Sequence, residues 1–165
     1  MPIISTDIQY RLSGGAANSD PLLSLGGAKS SVAAGTNLFD DVPSAEASAG
    51  RIEYRCVYIH NAHGTESYLD PVRLWISANT PSPGTTLDIG LGSAALNAVE
   101  QTVANEITAP AGVTFTSPAT FGAGIVVPTI PAGQHRSVWI RRTVNAGAAA
   151  FADSATLSIQ GDVNP

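Results

Sequence analysis

Cysteine is nearly missing from this chain of 165 residues, since Cys56 is its only one. That thiol has no partner for an internal disulfide or a thiolate metal cluster, so the fold is expected to rest on packing alone, and synthesis in the cytosol is the simplest expectation. Lysine is equally scarce. Of the 8 cations only Lys29 is a lysine, and the remainder are arginines, which suit planar pairing and stacking at contacts. Charge as a whole is thin: 13% of residues are charged, the balance is −5 and the pI is near 4.9. A chain of that sign has no general attraction for phosphate backbones, and nucleic acid is not an expected partner. No apolar run reaches the ~18 residues of a membrane span, and Met1-Pro2-Ile3-Ile4-Ser5 carries neither a basic nor a long apolar segment, so neither a membrane nor classical secretion is expected. What the chain does contain is 44% hydrophobic residues with 16 Gly and 11 Pro, enough for one core interrupted by many turns.

Residues 1–50 and 51–165 differ in texture. The first part is small, polar and glycine-rich around Ser13-Gly14-Gly15-Ala16-Ala17-Asn18 and Leu25-Gly26-Gly27-Ala28-Lys29-Ser30-Ser31, and only Ile8–Leu12 alternates as a short strand does. Irregular stretches of this length are generally functional or disordered. Yet Ile3, Ile4, Ile8, Tyr10, Leu12, Leu22, Leu23 and Leu25 are too many apolar residues for a solvated tail. Met1 to about Asn37 is therefore expected to lie across a neighbouring subunit; the competing reading wraps it around its own domain as an edge strand plus loop. From Arg51 onward the pattern is all-β. Strands are expected near residues 53–61, 72–77, 86–91, 137–144 and 156–160, with short candidates at Val113–Thr116 and Ile125–Val127. Glu53–Asn61 carries apolar residues on both faces, as a central strand does, and the turn from Ala62 to Ser67 is expected to return it into Val72–Ser77. A final hairpin is expected after Pro131-Ala132-Gly133-Gln134. Residues 93–106 fit a helix capped by Ser93 and a strand at Ala98–Val103 equally well. The expected fold is an antiparallel β-sandwich of immunoglobulin-like or jelly-roll type with an irregular N-terminal arm, a closed barrel being second.

Motifs of catalysis are sparse. His60 and His63 lie three apart near Glu66 and Asp70, and His135 is distant in sequence, so the spacing is no known ligand frame and solvated turn histidines are the simpler reading. Serine, histidine and aspartate all occur without a Gly-x-Ser-x-Gly elbow. Ala28-Lys29-Ser30 imitates the end of a phosphate-binding loop only superficially. Asp40, Asp41 and Glu46 beside Pro43 read as turn acids. Cys56 alternates with tyrosines and is expected to be an inert core thiol. No catalytic residue, metal or cofactor is expected. Trp75 and Trp139 stand mid-strand beside Arg73, Arg141 and Arg142; core aromatics are the first reading and ligand-stacking platforms the second.

The segments Leu12–Asn18, Ser24–Gly27, Asn37-Leu38-Phe39-Asp40-Asp41-Val42, Glu53-Tyr54-Arg55-Cys56 and Val138-Trp139-Ile140-Arg141-Arg142 together resemble a family of small structural proteins of tailed-bacteriophage virions, over most of the chain. The resemblance implies a non-enzymatic particle component, made in the host cytoplasm and resident in the virion. Its implied partners are other virion proteins, capsid or tail subunits, with a symmetric homo-oligomer in the particle. A decoration or cement role on the capsid ranks ahead of a tail or baseplate position, and a glycan- or receptor-binding module is the competing class. Arg141 and Arg142 join the apolar arm residues as expected subunit-interface positions.

Overall fold

The eleven residues Arg51–Asn61 form the strand around which the molecule is organised, here called β2. Its side chains are apolar on both faces and most are buried, so it needs a strand on each edge and a layer on each face. β1 (Ile8–Leu12) pairs antiparallel along one edge, with Leu12 opposite Val57 and Ile8 opposite Asn61. On the other edge lies β6 (His135–Val144), and β4 (Thr85–Leu91) pairs beyond it, giving a four-stranded sheet of order β1-β2-β6-β4. A second antiparallel sheet has the order β5-β3-β7, from β3 (Tyr68–Ala78), β5 (Ile125–Val127) and β7 (Thr156–Val163). One helix, α1 (Ser44–Ala49), precedes β2. The computed structural model describes residues 3–66, 68–82, 84–149 and 153–163.

Both sheets contribute to one apolar core: Val57 and Ile59 from β2, Val72, Leu74 and Ile76 from β3, Ile89 from β4, Val127 from β5, and Val138 and Ile140 from β6. The alternation of these residues explains why all the expected strands form, each within a few residues of its expected ends. Fully burying each such aliphatic side chain contributes about 1.5–3 kcal/mol before ordering costs.

Three local expectations fail. β2 and β3 are not a hairpin, because β3 belongs to the other sheet; the Asn61 amide donates to the carbonyls of Glu66 and Ile130 (2.8 and 2.9 Å) and steers the chain between layers. β7 likewise pairs with β3 and not with β6. Residues 93–106 are neither helix nor strand. They form successive turns, with Asn97 at φ 59 and a single bridge from Glu100 to Gly27, because the Glu100 carboxylate accepts from Ser93 and Ala94 and so competes with a helical ladder. At 113–116 only Thr116 bridges, to Ile89.

The N-terminal arm also departs from the first expectation. From Ile8 onward it is part of its own domain: Leu12 is 1% exposed, Ser13, Ser24 and Ser30 are buried, and Ile3, Ile8 and Tyr10 pack on the shared core. Backbone bonds tie it down at Leu12 to Val32 (3.0 Å), Cys56 to Ser24 (2.7 Å) and Val103 to Leu25 (3.0 Å). Among its described large apolar residues only Ile4, Leu22 and Leu23 are exposed. The expectation of an arm that leaves its domain underestimated backbone pairing, which satisfies the polar groups of a glycine-rich chain without regular structure.

Candidate functional site

Charged side chains collect at one end of the space between the sheets. Glu53 stands opposite Arg142 across the β2–β6 ladder, and both point toward the core face. Arg142 Nε donates to Glu53 Oε2 at 2.6 Å, while its Nη1 and Nη2 reach the Asp40 carbonyl and Oδ1 at 2.6 and 3.2 Å. Arg55, fully buried, donates to Glu106 Oε2 at 2.6 Å, and Arg51 pairs with Glu106 and Glu46. Phe39 lies under two of these guanidiniums, with Arg142 Cζ 4.8 Å and Arg55 Cζ 5.3 Å from its ring centroid. Burial pushes the Glu53 carboxyl above its usual range against the pull of Arg142. Burial also acts on Glu106, but there the Arg55 hydrogen bond and charge outweigh it and hold the carboxyl low. Oxygens of Asp40, Glu53 and Glu106 lie within 4.8 Å of one another. Three guanidiniums already neutralise them, so this is an ion-pair clamp between strands and loops, unsuited to a cation. Arg142, expected at a subunit interface, is occupied inside the domain. Arg141 is too: it donates to Asp88 Oδ2 at 3.0 and 2.8 Å and lies 5.0 Å from the Phe115 ring.

The outer face of the four-stranded sheet is closed by irregular chain. Tyr54, Cys56 and Trp139 form a second apolar cluster with Val103, against which Leu25, Val113 and Phe115 pack. Trp139 is completely buried, which removes it as a stacking platform. Burial pushes the Cys56 thiol well above its usual range, in keeping with an inert core residue. Beside this cluster the Tyr58 hydroxyl donates to Gly27 O (2.5 Å) and accepts from Glu100 N (2.9 Å). Burial raises its pKa to about 12. Glu100, 2% exposed, takes hydrogen bonds from Ser93 Oγ (2.9 Å), Ala94 N (3.0 Å) and Gln101 N (3.1 Å) and from Ser137 Oγ. Burial alone raises a carboxyl pKa, but these donors outweigh it and hold Glu100 low.

The outer face of the three-stranded sheet is different. Trp75 and Arg73 of β3 alternate away from the core residues Val72, Leu74 and Ile76, and their ladder partners are Ser158, Gln160 and Val126. Phe121, in a short 3-10 turn, sits edge-on to Trp75 with centroids 5.7 Å apart, and Arg73 Cζ lies 5.8 Å from the Phe121 ring. Arg73 is anchored to the carbonyls of Gly122 (3.3 Å) and Gly124 (3.0 Å). Phe121 and Val126 are 38% and 50% exposed, and Trp75 is half-buried. Sequence reasoning selected Trp75 but missed Phe121, whose surroundings between Pro118 and Gly122 carry no periodic signal, and read Val126 only as part of a short strand.

An open groove of ≈ 1310 Å³ enters the space between the sheets beside the clamp, with Tyr10, Leu38, Phe39, Asp40, Arg142 and Leu157 among its walls. No family model, curated protein or solved structure matches this chain.

Proposed function

We propose that this protein is a non-enzymatic structural component of a bacteriophage particle, a decoration protein of the capsid, built as a β-sandwich of jelly-roll type. The observation that carries the reading is the path of the chain: from β2 to β7 every successive strand changes sheet. Immunoglobulin-like sandwiches join several neighbouring strands by hairpins within a sheet, whereas jelly rolls wind back and forth between layers, and viral capsid and lectin domains are frequent among them. The support is an analogy of fold and holds for the class of protein, with no residue role attached. Burying Ile4, Leu22 and Leu23 against a neighbouring subunit suits such a role, and many copies compensate for modest affinity in each. The partners are capsid subunits, with a tail or baseplate position as the alternative. Separating purified particles into heads and tails and probing each with an antibody to this chain tests the reading: the chain is expected with heads, and its absence from particles overturns the proposal.

A second reading has its own observation. The Trp75, Phe121 and Arg73 surface, flanked by Ser77, Ser158 and Gln160, joins aromatic faces to hydrogen-bonding groups in the way that glycan-binding surfaces do. Titration of tryptophan fluorescence with host surface polysaccharide, compared between the native protein and Trp75→Ala, separates this reading from the first.

A further inference from the structure

We infer that the corner where β1, the Gly27–Ser30 loop, β2 and β6 meet, on the outer face of the four-stranded sheet, binds a tetrahedral oxyanion, sulfate or phosphate, either free or carried as an ester. The ladder registers place Gln9 opposite His60 and His60 opposite His135, so three polar side chains stand in one row across β1, β2 and β6. Arg11, opposite Tyr58, is the diagonal neighbour of His60, within roughly 7–8 Å by strand geometry. Into this row the loop carries Lys29, the only lysine of the chain, held in place by the bond from Ser30 N to Leu12 O at 2.8 Å.

The charges at this corner are unbalanced. Lys29 is repelled by Arg11, His60 by both, and His135 by Lys29 and His60. Among the described residues the ion pairs engage Arg51, Arg55, Arg141 and Arg142, and none reaches Arg11, Lys29, His60 or His135. The other groups around the row do not supply the missing charge. Glu100 directs its oxygens at Ser93, Ala94, Gln101 and Ser137, the Tyr58 phenol is bonded to Gly27 and Glu100, and Arg136 donates to Gly92 O at 3.1 Å. Among the described residues none hydrogen-bonds the Lys29 ammonium or the buried Arg11 Nε, although the Arg11 terminal nitrogens bond Gln9 and Ser31. In a protein of net charge −5, a corner that gathers Arg11, Lys29 and two imidazoles, with no carboxylate paired to any of them among the described residues, is a site for an anion.

The imidazoles couple this site to protons. His60 Nδ1 donates to Gln134 O at 3.1 Å, which leaves Nε2 to take up a proton and become a further donor. The His135 ring is held edge-on to Tyr58 with centroids 4.9 Å apart. Burial, and then the Lys29 charge, lower both histidine pKa values. An anion beside them reverses the second effect, so it raises both values, and by reciprocity its own affinity increases as pH falls through them.

Histidine NMR titrations of the full chain in sodium sulfate and in sodium chloride at matched ionic strength provide the test, since sulfate keeps its double charge while imidazoles titrate. The His60 and His135 midpoints are each expected to rise by at least about half a unit in sulfate, a roughly threefold gain in anion affinity per histidine and about tenfold below both midpoints. The His63 resonance, outside the corner, serves as the reference for non-specific salt effects. Lys29→Gln is expected to abolish the sulfate effect and Lys29→Arg to retain it. Repeating the titration with glucose 6-sulfate, and with glucose as its uncharged control, identifies the source: tighter binding of the ester assigns a saccharide-borne anion, and equal binding a free one. Identical midpoints in sulfate and chloride, or a sulfate effect that survives Lys29→Gln, overturn the site.

Discussion

The two sheets turn one face each to a common core, yet their outer faces are treated in opposite ways. Over the four-stranded sheet, residues 24–27 of the arm and 99–116 of the long loop cover Tyr54, Cys56 and Trp139. Over the three-stranded sheet, Phe121 leans on a half-buried Trp75 while Val126 remains exposed. The difference teaches where the irregular chain goes. The glycine-rich arm and the irregular 99–116 loop meet on the same face, where Gly27 bridges Glu100, so they form a lid layer of the core and are not spacers. The uncovered face is the one that the proposed roles would turn to contact outside the domain.

The two tryptophans give the widest separation between the faces. Trp139→Ala empties a buried site and is expected to lower unfolding free energy by about 3–5 kcal/mol, whereas Trp75→Ala is expected to cost well under half as much. Urea unfolding of both variants checks the ratio, and equal losses would remove the distinction between a covered and a bare sheet. Gly26 is the next point of attack, because at φ +94 an added Cβ lies 1.8 Å from the Gln101 carbonyl oxygen. Gly26→Ala therefore has to displace the 100–103 segment as well as strain its own backbone, and a loss of about 1–3 kcal/mol or more is expected with increased hydrogen exchange at Val103. Glu100→Gln replaces an acceptor that serves four donors with an amide that cannot accept from all of them, at an expected cost of about 1–3 kcal/mol.

That last substitution also separates the faces by pH. Because the folded Glu100 carboxyl titrates below its ordinary value, its contribution is complete above the unfolded pKa of about 4.5 and is lost as pH falls through the lower folded value. The stability gap between the native protein and Glu100→Gln is thus expected to be constant near neutrality and to narrow in acid, below about pH 4.5. Thermal melts along that range provide the check. The smallest effect belongs to the bare face. Val126→Ser is expected to change stability by no more than about 0.5 kcal/mol, because that side chain is already half in water.

Much of the strand layout was legible because each strand alternates strongly, and β2 showed from its two apolar faces that it is central. Pairing was less legible. Whether Ala62–Glu66 closes a hairpin or crosses between sheets depends on Asn61 reaching Ile130, a residue 69 positions away that local pattern does not reveal. The arm was misjudged for a related reason: Leu12 and Leu25 carried the hydrophobic signal, but their partners Val57 and Val103 lie on strands and loops read separately. Arg141 and Arg142 were singled out for subunit contacts, whereas the acceptors they have within the domain, Asp88, Glu53 and Asp40, had no marked spacing to them. The ion-pair clamp and the oxyanion corner were illegible in sequence, because each assembles from four or more separate segments.

The outward role of the bare sheet is tested most directly by hydroxyl-radical footprinting of the isolated chain and of the chain within purified particles. Trp75 and Phe121 are expected to react readily in the isolated protein and to be protected in the particle, while the buried Trp139 stays unreactive in both. Equal labelling of Trp75 and Phe121 in the two samples contradicts the assignment of that face as a contact surface.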